Sequence, residues 1–128
     1  MKRRSLSIAL PLLALAPGSW AQAWPSKPIR LVVPFPAGGA TDLLARAIAQ
    51  GLGNAFGQPI VVDNRPGAGG TLGSAEVAKA QPDGHTLLMC TSSTHSIAPH
   101  LNPNLPYNAE ADFTPVAQVA NATNIVLL

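Results

Sequence analysis

An α/β fold with a largely parallel sheet flanked by helices is predicted by three features of the sequence. Apolar, β-rich runs alternate with Ala/Leu-rich helical stretches, and the two are joined by Gly-rich turns, a plan that occurs twice in succession. Hydrophobic residues make up 47% of the chain and charged residues 11%, which supplies a core and argues against a disordered tail. With 13 Pro and 11 Gly among 128 residues, short elements and frequent turns are expected rather than a helical bundle. The length suits one small domain with one modest core.

The elements follow in order. Ile29-Arg30-Leu31-Val32-Val33 reads as a buried strand, ended by Pro34-Phe35-Pro36-Ala37-Gly38-Gly39, which cannot continue a central ladder. Thr41 is the expected N-cap of a helix, with Asp42 in its first turn and Leu44, Ala47, Ile48 and Leu52 on its apolar face. Gly51, Gly53 and Gly57 are expected to end it. A second unit repeats the plan, with a strand at 60–62, a turn at 63–70 and a helix at 71–80. Pro82-Asp83-Gly84 then turns the chain into a third strand at 86–90. A hydroxyl-rich segment at 91–96 leads into a Pro- and Asn-rich loop, and further strands are expected at 113–119 and 125–128.

The N-terminus stands apart from this pattern. Lys2, Arg3 and Arg4 precede an apolar stretch over 6–16, then Pro17-Gly18-Ser19 and Ala21-Gln22-Ala23, the layout of a secretory signal peptide cleaved after Ala23. As a membrane anchor the stretch is too short, and Pro11 interrupts it. The Arg3-Arg4 pair admits a twin-arginine route, and the residues after it do not choose between routes. Removal of residues 1–23 takes three of the eight basic residues, leaving five against six acids, so the net charge passes from +2 to −1. Nucleic acid and anionic membranes lose their electrostatic case as partners. Cys90 is the only cysteine, which leaves no internal disulfide, and its apolar neighbours Leu87, Leu88 and Met89 predict a buried, inert thiol.

In a parallel sheet the ligand crevice lies beyond the carboxyl ends of the strands. Three segments, 35–40, 65–70 and 91–95, are expected to converge on that rim. Gly-rich turns before helices let backbone N–H groups approach an anion. One such turn alone reads as a tight turn; two, together with the hydroxyl cluster, point to an anion site built from main-chain donors. Gly67-Ala68-Gly69-Gly70-Thr71-Leu72 approaches a dinucleotide fingerprint but carries Leu72 at its last position, and no Gly-Lys-Ser/Thr occurs for a phosphate loop. His85, His95 and His100 lack metal-ligand spacing and a carboxylate cluster. Ser93 or Thr94 beside His95 would be an exported hydrolase's nucleophile and base, but the strained G-x-S-x-G setting is missing, and hydroxyls that hydrogen-bond a ligand or their own backbone are the favoured reading.

Longer motifs carry a resemblance. Trp24-Pro25-Ser26-Lys27-Pro28-Ile29-Arg30 leads to Val33-Pro34-Phe35-Pro36-Ala37-Gly38-Gly39-Ala40-Thr41-Asp42, and Asp63-Asn64-Arg65-Pro66-Gly67-Ala68-Gly69-Gly70 follows. With Pro82-Asp83-Gly84-His85-Thr86-Leu87-Leu88, Thr94-His95 and Asp112-Phe113-Thr114-Pro115-Val116, these resemble the Bug (TctC) family, substrate-binding proteins of tripartite tricarboxylate transporters. The departures are Asp63, where Glu is more usual, and His85, where Tyr is common.

The resemblance implies a type II periplasmic binding protein, two-lobed and flytrap-like, that captures small carboxylates through backbone amides and ordered water. It implies membrane components of such a transporter, or a sensor kinase, as partners, with no cofactor, no catalytic residues and no nucleic acid. Residues 24–128 correspond to the N-terminal part of lobe 1, the second lobe being absent; a fragment, a truncated product without function and a frameshifted relic read alike here. The rim and the resemblance together nominate ligand-binding residues in three groups: Phe35, Pro36, Ala37, Gly38, Gly39, Thr41 and Asp42; Gly67, Ala68 and Gly69; and Thr91, Ser92, Ser93, Thr94 and His95. Arg65 is expected to tie the second loop rather than hold ligand.

Overall fold

A computed structural model describes residues 23–122. The chain runs β1 (Ile29–Val33), α1 (Ala40–Phe56), β2 (Ile60–Asn64), a 3₁₀ turn (Ala68–Gly70), α2 (Thr71–Ala78), β3 (Thr86–Leu88), a π-helical turn (Ser93–Ile97) and a short α3 (Ala98–Leu101). The strands form one sheet in the order β2-β1-β3, and both pairings are parallel. Ile29 to Val33 pair with Ile60 to Asn64, and Arg30 to Val32 pair with Thr86 to Leu88. The predicted α/β class, with a parallel sheet and flanking helices, is therefore the observed one.

β1 is the central strand, which is why its sequence is apolar almost without alternation. Ile29, Val32 and Val33 are fully buried. Leu31, Val33, Ala45 and Met89 form the core, with Phe35, Ile48, Ile60, Val62 and Leu87 packed against it.

Helix α1 is rotated from its expected phase. Asp42, Ala45 and Ala49 are its buried residues, whereas Leu44 is 41% exposed and Ala47 lies at the surface. The Asp42 carboxylate finds its partners on the inner side, and positions 45 and 49 follow it at helical spacing. The helix begins with Gly39 as N-cap, so Thr41 lies inside the first turn rather than capping it. It also runs through Gly51 and Gly53 to Gly57, which alone of the three has a positive φ (67°) and whose N–H bonds Gly53 O at 3.0 Å. Packing on the sheet outweighs the modest propensity penalty of glycine inside the helix.

Three further expectations change. The ladder of β3 covers 86–88, with Met89 N–H still donating to Val32 O at 2.9 Å; the chain then leaves the sheet, and Cys90 is exposed rather than buried. Residues 113–119 form no strand: among the described residues nothing pairs their backbone, and Val116 is exposed. Helix α2 stops at Ala78, two residues early. The signal segment at 1–22 and the expected strand at 125–128 lie outside the described residues.

Candidate binding rim at the carboxyl end of the sheet

The loops that leave β1, β2 and β3 meet. The marker is Gly70, buried, with φ 95° and ψ −4°: a Cβ built there would lie 2.7 Å from Thr94 Cγ2 and 3.2 Å from Phe35 Cζ. One residue from each of the three loops thus occupies a single spot. Gly73, one turn into α2, is as tightly set, since its Cβ would lie 2.8 Å from Arg65 O and 2.9 Å from Pro34 Cβ. Only glycine at 70 and 73 allows α2 to seat against the first loop.

The first loop is held from inside. Asp42, 2% exposed, accepts from Gly38 N–H at 2.8 Å, Arg46 Nε at 2.9 Å and Asn64 Nδ2 at 2.9 Å. The Arg46 guanidinium foremost, then the Gly38 amide and Asn64, hold its carboxyl well below the ordinary carboxylate range. Asn64 Nδ2 also donates to Phe35 O at 3.1 Å, tying β2 to the first loop. Gly38 N–H is therefore occupied. Leu43 N–H makes the first helical bond, to Gly39 O at 3.0 Å; the amides of Ala40, Thr41 and Asp42 precede any helical acceptor, and Gly39 offers no side-chain cap. These donors, at the positive end of the α1 dipole, suit an anion.

The second loop carries Gly67 (φ 141°), Gly69 (φ 66°) and Ala68, the one non-glycine with positive φ among the described residues. Ala68 and Gly69 are exposed. Arg65 bonds Asp63 through Nε at 3.1 Å and lies 3.7 Å from Glu76, and Arg30 pairs with the same two acids. Arg30 and Arg65 share these two acids, which ties β1, β2 and α2 together.

The third loop coils into the π-helical turn at Ser93–Ile97. Thr94 is fully buried, while Ser92 and Ser93 are exposed and His95 is half-buried. Thr91 Oγ1 is buried without a hydrogen-bond partner among the described residues, an acceptor and donor left over at the rim. Tyr107 Oη donates to Thr94 O at 2.7 Å, and Phe113 sets its ring edge-on to His95 at 4.6 Å. Burial lowers the pKa of His95 and raises that of Tyr107.

Of the nominated residues, Phe35, Thr94 and the Gly70 turn come into contact; Asp42 and Gly38 bond each other; Pro36, Ala37, Gly39, Ser92 and Ser93 present exposed surface around them. Gly70, Asn64 and Tyr107 were missed as site residues. Gly70 had a signal, being the last glycine before a helix; Asn64 and Tyr107 act at a distance of 22 and 13 residues, which no local pattern reveals. Arg30, Arg46, Arg65 and Lys27 are each matched by a carboxylate, so neutral donors dominate the rim. Among the described residues no group of three or more His, Cys, Asp or Glu could hold a metal, and no helix is long and apolar enough to cross a membrane.

The parallel sheet with flanking helices is shared with solved periplasmic binding proteins. The malate-bound MatC protein from Rhodopseudomonas palustris matches with TM-score 0.72 and 47% identity over 75% of this chain and 33% of its own. The periplasmic binding protein BugD matches with TM-score 0.65 and 41% identity over 72% of this chain and 30% of its own. Residues 44–128 match the family of tripartite tricarboxylate transporter receptors, TctC, and the chain belongs to that family. It is 49% identical over 117 residues to a UPF0065 protein of Bordetella bronchiseptica, covering 91% of this chain and 35% of the relative. Protein BugT of Bordetella pertussis is 42% identical over 108 residues, or 84% of this chain and 33% of the relative. The chain thus spans about a third of the length of the relatives it matches. Family members are periplasmic solute-binding proteins rather than enzymes.

Proposed function

We propose that this protein is a periplasmic solute-binding protein, exported by a cleaved signal peptide ending at Ala23, that captures a small carboxylate for a tripartite tricarboxylate-type transporter. The observation that carries this reading is the meeting of Phe35, Gly70 and Thr94, which gathers three loops at the positive end of α1. The ligand carboxylate lies against residues 35–39, Thr41, 67–69 and 91–95, held by amides and hydroxyls. Asp42 shapes that surface from behind, since its oxygens are already occupied. Thr94 Oγ1 lies 3.0 Å from His95 Nδ1, but Thr94 is fully buried and that pair offers no hydroxyl to a substrate, so the protein acts by binding rather than turnover.

Calorimetry with malate, succinate, citrate, adipate and nicotinate tests this on the present chain and on one extended to its relatives' length. Binding of at least one acid by the extended protein is expected. Heat from neither protein overturns the reading. Binding by the extended form alone assigns part of the site to residues beyond this chain, because the chain spans only a third of its relatives.

A further inference from the structure

We propose that the outer edge of β3 is a pairing surface for a second copy of this chain, joining two three-stranded sheets, antiparallel at the seam, into one continuous sheet. The direction of the ladder's hydrogen bonds identifies the free groups. Arg30 N–H donates to His85 O at 2.8 Å and Met89 N–H to Val32 O at 2.9 Å, with Arg30 and Val32 in register with Thr86 and Leu88. In a parallel ladder alternate residues turn their peptide groups toward one neighbour. Leu87 therefore faces β1, and the N–H and C=O groups of Thr86 and Leu88 face outward. The sheet ends at β3, and among the described residues no backbone bond takes these groups up.

The two edges of the sheet differ in how they are guarded. β2 follows Pro59 and carries Asp63 and Asn64, whose side chains bind Arg65 and Arg46. Thr86-Leu87-Leu88-Met89-Cys90 holds neither charge nor proline, the devices that keep an exposed edge from pairing. Leu87 and Leu88 point to opposite faces and each is only half-buried, so apolar surface is left on both. The flank of α1 turned away from β2 adds Leu44, 41% exposed, and half-buried Ile48 and Leu52. A second copy fits this edge, because a neutral strand meets itself without like-charge repulsion and two-fold pairing is self-complementary. Thr86 then lies opposite the partner's Leu88, each such pair exchanging both of its bonds, and Leu87 lies opposite the partner's Leu87. A two-fold axis normal to the sheet keeps both α1 helices on one face and both α2 helices on the other, so each copy covers its own half.

Light scattering on the exported chain across a dilution series tests this. A mass of two chains that falls to one on dilution is expected. Leu88→Pro removes an outward amide from each copy and leaves the bonds to β1 in place; it is expected to weaken dimerisation about tenfold or more. Thr86→Lys puts a charge on the edge with no change of backbone and acts in the same direction. Should Leu88→Pro not fold, Thr86→Lys decides alone. Cys90, exposed and the only cysteine, takes a spin label, and in this register its Cα lies about 20 Å from that of the partner's Cys90. A single chain at every concentration, a dimer unchanged in a folded edge variant, or a label separation far from that value overturns the proposal. A monomer whose Thr86 and Leu88 amides resist hydrogen exchange overturns it too, and assigns the edge to residues 123–128 of the same chain.

Discussion

Asp42 holds the first loop of the rim from inside the fold. Its three hydrogen bonds join the first loop, β2 and the next turn of α1, and they form only with the carboxylate. Its pKa is lowered in the folded state, so its contribution is fully present above the unfolded value of about 3.8 and is lost as pH falls toward the folded one. Asp42→Asn keeps the shape but cannot accept on both sides, and we expect a Tm lower by roughly 5 °C between pH 5 and 8. Thermal melts as a function of pH check this: the gap between variant and wild type narrows below about pH 4. A gap that widens in acid would contradict the assignment. The sequence exposes Asp42 as a helix-start acid, but its burial depends on Asn64 and Arg46, which the local pattern does not connect.

At the scale of elements, glycine separates what was legible from what was not. Strands β1 and β2, α1 and α2 announce themselves through apolar runs and Ala/Leu stretches, because burial and periodicity are local properties. Boundaries failed where tertiary contacts decide: α1 passes through Gly51 and Gly53, and 113–119 stays unpaired though its composition resembles a strand. The same residue type therefore has opposite consequences. Gly51 is exposed inside α1, with open space where a side chain would project, so Gly51→Ala is expected to stabilise by about 0.5–1 kcal/mol. Gly70 has a positive φ and contacts on two sides, so Gly70→Ala is expected to destabilise by about 2–4 kcal/mol. Urea unfolding of both variants decides; equal effects of the same sign would refute the account. Convergence of the three loops was readable from the parallel order, whereas the point of contact was not, since it rests on Phe35, Gly70 and Thr94 touching across the fold.

At the scale of the whole molecule, the residues just after the proposed cleavage point are tied into the fold. Trp24, the first residue after Ala23, already packs edge-on to Phe56 at 5.4 Å and to His85 at 6.0 Å, and Lys27 pairs with Asp83 at 2.9 Å. A cut before Trp24 leaves those contacts whole, and N-terminal sequencing of the exported product is expected to read Trp-Pro-Ser; a start beyond Trp24 would contradict it. Lys27, Arg30, Arg46 and Arg65 are each paired with a carboxylate, so little unpaired positive charge remains on these side chains. The crowding around Gly70 has one more implication. In the proposed site, a position that tolerates no side chain cannot vary, so a change of ligand has to come from the residues around it. Ala37, Ser92 and Ser93, exposed on the neighbouring loops, are the positions of the proposed site where substitution leaves the junction beneath unchanged.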